Sequence, residues 1–165
     1  MTTGKCLKNQ KGFSLIEVIV SILLVGMIAV FAAMGITALM DAFMLTRTNA
    51  GTTQKAQMAM TRMVKEFTVM SAVTGATATS ITFTSYKQGV TSPHTLSWTG
   101  SVITLDGDVL VDSVNDFELG YYNSHASPKR FTWSPARKMI GITLKLVGAN
   151  NNIIEFTDRL VPRNL

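Results

Sequence analysis

The chain begins polar and then turns apolar, with 23 consecutive uncharged positions over residues 18–40. Leu, Ile, Val and Met fall on every side of a helix drawn through this stretch, whereas a helix on the surface of a soluble domain keeps a polar face. As helix the run would measure about 34 Å at about 1.5 Å per residue, enough for a hydrocarbon core of about 30 Å. The pattern predicts a membrane-spanning helix. No proline precedes Pro93, so any kink must fall at Gly26 or Gly35.

Over residues 41–73 the pattern becomes one-sided. Ala56, Met60, Met63, Val64, Phe67 and Met70 recur at helical spacing, with Lys55, Arg62, Lys65 and Glu66 assigned to the other side. Met58 and Val69 are apolar positions on that charged side, which makes them the candidate face for a partner. Residues 46–53, with Asn49 and Gly51, are weak in helix propensity, but without a proline the two helical stretches are free to form one rod. Residues 71–80 are rich in Ser, Thr, Ala and Gly and read as a linker that ends the helix.

Beyond it the period drops to two. Ile81-Thr82-Phe83-Thr84, Thr95-Leu96-Ser97-Trp98, Val102-Ile103-Thr104-Leu105 and Val109-Leu110-Val111 read as strands, with Asp106-Gly107 as a hairpin turn. Phe117, Leu119 and Tyr121 alternate, as do Ile140, Ile142, Leu144 and Leu146, and then Ile154 and Phe156. The expected fold class is α+β: a long N-terminal helix, transmembrane then amphipathic, packed on a meandering antiparallel sheet. The expected segments are 1–12, 13–40, 41–73 and a β-rich domain over 74–165. At 165 residues there is room for one such domain and no second.

Charge alters the picture at the N-terminus. The formal charge is +5, but setting aside Lys5, Lys8 and Lys11 from the fifteen basic residues leaves twelve against ten acidic ones. The basic character therefore sits ahead of the apolar run, where it favours a cytoplasmic N-terminus and export of the residues beyond the helix. An ordinary secretory signal is cut after its apolar region. Here the small-residue junction, Gly12-Phe13, comes before it, so cleavage would remove the lysines and keep the helix. Glu17 then lies inside the retained apolar part. The single cysteine, Cys6, is in the leader, so the cleaved chain would contain no disulfide.

Lys11-Gly12-Phe13-Ser14-Leu15-Ile16-Glu17 resembles the class III signal of the type IV prepilins and type II secretion pseudopilins. The resemblance implies cleavage between Gly12 and Phe13 by a membrane prepilin peptidase, N-methylation of Phe13, and assembly through Glu17, which would meet the methylated amine of a neighbouring subunit. It also implies a pilin-like fold, a single-pass inner-membrane location with the C-terminal domain extracytoplasmic, and a structural minor pseudopilin or minor pilin near a filament tip. Its partners would be other pilins or pseudopilins, the prepilin peptidase and methyltransferase, an assembly platform and membrane lipid. Phe117-x-Leu119-x-Tyr121-Tyr122 and the closing Val161-Pro162-Arg163-Asn164-Leu165 resemble, more loosely, a J-type minor pseudopilin or a W-type minor pilin. Many major pilins have a C-terminal disulfide and a proline within the helix. This chain lacks both, which argues against the major-pilin alternative.

Other chemistry is poorly supported. Asp106, Asp108, Asp112 and Asp116 supply oxygens that calcium would accept, but a hairpin explains Asp-Gly without an ion and the calcium-loop pattern is absent. His94 and His125 have no nearby Cys or paired acid in the sequence, so no metal ligand, cofactor or catalytic base is assigned. Lys129, Arg130, Phe131, Trp133, Arg137 and Lys138 interleave cations with aromatics, as a DNA-binding surface does. A DNA-binding minor pilin stays open as an alternative, although nucleic acid is not the expected partner. Nucleophile-elbow, Walker and zinc-protease patterns are absent, so no enzyme is expected.

Overall fold

Ser14 leads into a 54-residue helix, α1 (Leu15–Thr68), in the computed structural model, which describes residues 12–87 and 89–165. The helix passes without a break through Gly26, Gly35 and the weak patch around Asn49 and Gly51. The chain divides between Met44 and Leu45 into two units. In the first, every helical residue is exposed. The second, Leu45–Leu165, contains the core.

In that second unit α1 buries Ala56, Met60, Met63 and Phe67 against two antiparallel meanders. The first sheet is β1 (Met70–Ala76), β2 (Ser80–Lys87), β3 (Val90–Thr99), β4 (Val102–Leu105) and β5 (Asp108–Val111), in that order. The second is β6 (Val114–Tyr122), β7 (Met139–Val147) and β8 (Ile153–Leu160). Phe67 meets Phe83 of β2 edge-on, with ring centroids 5.4 Å apart, and both side chains are fully buried. Burial on this scale contributes about 1.5–3 kcal/mol per large apolar side chain. Tyr121 of β6 is buried as well, and its hydroxyl donates to the Thr77 carbonyl at 3.0 Å. Burial pushes that phenol well above its ordinary pKa.

The long helix and antiparallel strands match the expected α+β, pilin-like class, but several details differ. The single meander is in fact two, separated at Asp112-Ser113, where Ser113 adopts a positive φ of 58°. Backbone bonds then stitch the sheets together, from Val114 N–H to Ser101 O (3.0 Å) and from Leu119 N–H to Ala78 O (2.7 Å). The helix does not reach residue 73, and most of the expected linker over 71–80 is strand. Thr68 ends α1, its carbonyl accepts the Arg163 N–H at 3.0 Å, and Met70 enters β1 fully buried. Ser and Thr in this segment bond along the sheet: the Ser71 and Thr74 hydroxyls donate to Thr84 O and Thr82 O of β2. The segment is thus a polar edge strand rather than a linker.

Glu66 is also corrected. It is 1% exposed rather than on the solvent side, and its carboxylate lies 3.3 Å from the Arg62 guanidinium one turn earlier. Ala59, Met63 and Glu66 follow one another at i, i+4 and i+7, so the covered sector of α1 is wider than the apolar stripe alone suggests.

Candidate functional site

Gly12 and Phe13 precede the helix, and Phe13 is 79% exposed. Ser14 serves as the cap, its hydroxyl oxygen accepting the Glu17 N–H at 3.3 Å and its carbonyl accepting the same N–H at 3.1 Å. Ser-x-x-Glu is the spacing of a capping box, which places the Glu17 carboxylate in the first turn beside the positive end of the helix dipole. The same local sequence that starts the helix therefore brings an acid within a turn of Phe13.

From Leu15 to Met40 the apolar side chains, among them Ile22, Val25, Phe31 and Leu39, are exposed. Polar groups inside the run bond to their own backbone: the Ser21 hydroxyl donates to Glu17 O at 2.7 Å and the Thr37 hydroxyl to Met34 O at 2.9 Å. This suits hydrocarbon, where an unmet donor is costly. The helix has the length and composition to cross a membrane, and its apolar window has no burial within the chain.

Residues 7–33 match the family model described as the prokaryotic N-terminal methylation motif. The match supports the type IV pilin and pseudopilin family. Together with the exposed apolar helix, the motif supports a membrane-anchored chain processed by a prepilin peptidase, and it is a structural motif rather than an enzymatic one. No curated protein and no solved structure matches the chain significantly.

Gly12, Phe13 and Glu17 thus lie together at the start of α1, whereas Lys5, Lys8 and Lys11 lie outside the described residues. Met58 is in the second unit, 60% exposed, beside Gln54, Thr61, Arg62 and Lys65 on one flank and Val109 and Leu110 of β5 on the other. Val69 does not share that face. It follows the end of α1, half-buried, with its carbonyl accepting the Tyr86 N–H at 3.2 Å. A helical wheel carried past Thr68 groups the two residues wrongly.

The chain also holds contacts that the sequence hides. His94 has an acid beside it after all, because the β3–β4 hairpin places its Nδ1 2.6 Å from Asp106 Oδ2, while Asp106 Oδ1 accepts the Thr95 N–H at 2.7 Å. Burial pushes the Asp106 carboxyl up, but the hydrogen bonds from His94 and Thr95, with the nearby charges of His94 and Arg62, outweigh it and hold the group below its ordinary value. Asp112 is held low chiefly by the hydrogen bond from Lys55, at 2.8 Å. Asp116 lies 3.0 Å from Lys145, and that bond raises the Lys145 ammonium. The acidic residues considered for calcium are therefore engaged separately at Asp106, Asp112 and Asp116, and among the described residues no three His, Cys, Asp or Glu side chains gather as a metal site.

The cation-rich loop is likewise tied down in part. Lys129 contacts Glu118, Trp133 packs edge-on against Tyr121, and Arg137 donates to the Thr132 hydroxyl, while Phe131 stays 48% exposed. Burial, with Arg159 close by, lowers the Lys129 ammonium. The Lys129 and Tyr122 side chains lie along the cross-strand pair Gly120 and Gly141. A Cβ at Gly120 would come within 2.8 Å of Lys129 Cε, and one at Gly141 within 2.9 Å of Tyr122 Cε2. Arg159 covers the Tyr122 ring at 4.5 Å.

Proposed function

We propose that this pilin-type chain is a non-catalytic structural subunit, a minor pseudopilin or minor pilin, placed at or near the tip of an inner-membrane filament. In this reading residues 1–12 are a leader, cut between Gly12 and Phe13, and the new Phe13 amine is methylated. Residues 13–40 span the membrane and the unit from Leu45 onward is extracytoplasmic. The observation that carries the reading is a methylation motif that runs into a long helix whose apolar residues 15–40 are exposed. Such a helix needs lipid or other subunits around it.

Glu17 supplies the selective contact. A charge at the centre of a membrane helix costs about 2.5–3.5 kcal/mol on insertion scales, so a partner is favoured, and the methylated amine of a neighbouring subunit is one of opposite charge and similar depth. Met58, exposed opposite the packing stripe, is a second surface available to a neighbour in the same assembly. A minor rather than a major subunit is favoured because the cleaved chain would hold no cysteine and its membrane helix has no proline.

The test is intact-mass and N-terminal peptide analysis of membrane fractions from cells with an active prepilin peptidase. The expected product begins at Phe13 and carries a methyl group on its amine. Recovery of only the Met1 form would overturn the proposal.

A further inference from the structure

The two sheets have four edge strands, and three of them are irregular, short or covered. β1 meets β2 through two register shifts, and β5 is four residues long with a shift of its own against β4. β6 is covered: Leu119 N–H donates to Ala78 O, Tyr121 and Arg130 exchange backbone bonds, and Lys138 N–H donates to Tyr122 O. Bulges, short length and covering loops are the usual defences of a sheet edge.

β8 has none of these three, and its only edge defence is the charge of Glu155, Asp158 and Arg159. Its eight residues pair with β7 from Ile153 to Leu160 without a register shift, and among the described residues no backbone group of another element bonds to its other side. A regular strand with an open edge is a template for an extended chain. Such a chain would lie about 4.8 Å from β8, and its side chains would point alternately to the two faces. On the inner face they would enter a groove of about 530 Å³ between β8 and α1. Met60 and Val64 give the groove an apolar floor, Gln57 and Thr61 line its helix side, and Lys65 and Asp158 place one charge of each sign on its rim.

The described C-terminal segment does not fill this place, because it is tied elsewhere by the Arg163 N–H on Thr68 O. We infer that the β8 edge accepts an extended segment of a neighbouring pilin-type subunit as an added strand, with its inward residues apolar where they meet Met60 and Val64. This rests on the filament role proposed above, which puts other subunits beside the chain. The backbone ladder supplies the pairing, and the groove selects side chains at alternate positions.

The experiment uses the full-length protein in cells that build the filament. A photo-crosslinking residue is placed singly at Glu155, Thr157 and Arg159, all exposed on β8, and at Ile22 in the apolar helix as the reference for assembly. The expected result is adducts with a pilin-type subunit from all three β8 positions, with attachment points on the partner stepping two residues at a time. Thr61→Arg, which fills the groove from an exposed helix position, should reduce these adducts by at least about tenfold while leaving the Ile22 adducts unchanged. Adducts at Ile22 with none at β8, scattered attachment points, or indifference to Thr61→Arg would each overturn strand addition and leave the filament role standing. Absence of adducts at Ile22 and β8 alike would bring down both.

Discussion

Glu17 combines two physical roles in one carboxylate: it complements the start of α1 from inside the first turn, and it carries charge into an apolar segment. Replacing it separates the two. Glu17→Leu should insert in the membrane as well as the wild type, because an expensive charge is gone, and should fail to join neighbouring subunits. The measurement is crosslinking to other pilins at equal membrane levels of the two proteins, and wild-type crosslinking by the leucine variant would exclude a pairing role. Asp106 is a residue of the opposite kind, whose partners only folding reveals. Its pKa is lower folded than unfolded, so its stabilisation is complete above the ordinary carboxylate value of about 3.9 and is lost as the pH falls through the folded value. Denaturant midpoints should fall more steeply on acidification in the wild type than in Asp106→Asn, and identical profiles would show that the His94 contact contributes nothing. The motif that includes Gly12, Phe13 and Glu17 was legible because its signal is contiguous. His94 and Asp106 are twelve positions apart and meet only through the β3–β4 register.

At the scale of elements, periodicity located the packing stripe of α1 and most strands but misjudged the ends of the helix and its flanks. Residues 71–80 looked like a linker because Ser and Thr favour both turns and sheet edges, and only pairing with β2 decides between them. Glu66 looked exposed because a helical wheel shows angles and not how far a sheet wraps round the helix. The division of labour between the two sides of α1 is testable in the 45–165 fragment. Phe67→Glu would bury a charge in the core and should lower stability by about 3 kcal/mol or more. Met58→Glu, on the exposed side, should leave the melting temperature within a few degrees and reduce co-purification with partner pilins from full-length protein. Equal loss of melting temperature in both variants would mean that Met58 packs within its own subunit.

For the whole molecule, the proposed function turns on one event, removal of a basic leader from a helix that stays. A bulky residue at Gly12, such as Gly12→Phe, should keep the chain at its precursor mass in membranes and out of filaments, whereas normal processing would show that the peptidase makes no steric demand there. Sequence patterns conveyed the broad α+β plan and the membrane helix, since both rest on runs of neighbouring residues. They did not convey the split into two sheets, which depends on a positive φ at Ser113 and on bonds from Val114 to Ser101 and Leu119 to Ala78. The stripe of Ala56, Met60, Met63 and Phe67 has a mechanical meaning as well. Tension applied to the second unit through Leu45 acts along the helix axis, parallel to that stripe. The buried side chains must then slip past the sheets together, in shear, instead of peeling away one after another, so a pull along that axis meets the core in the direction in which it yields least readily.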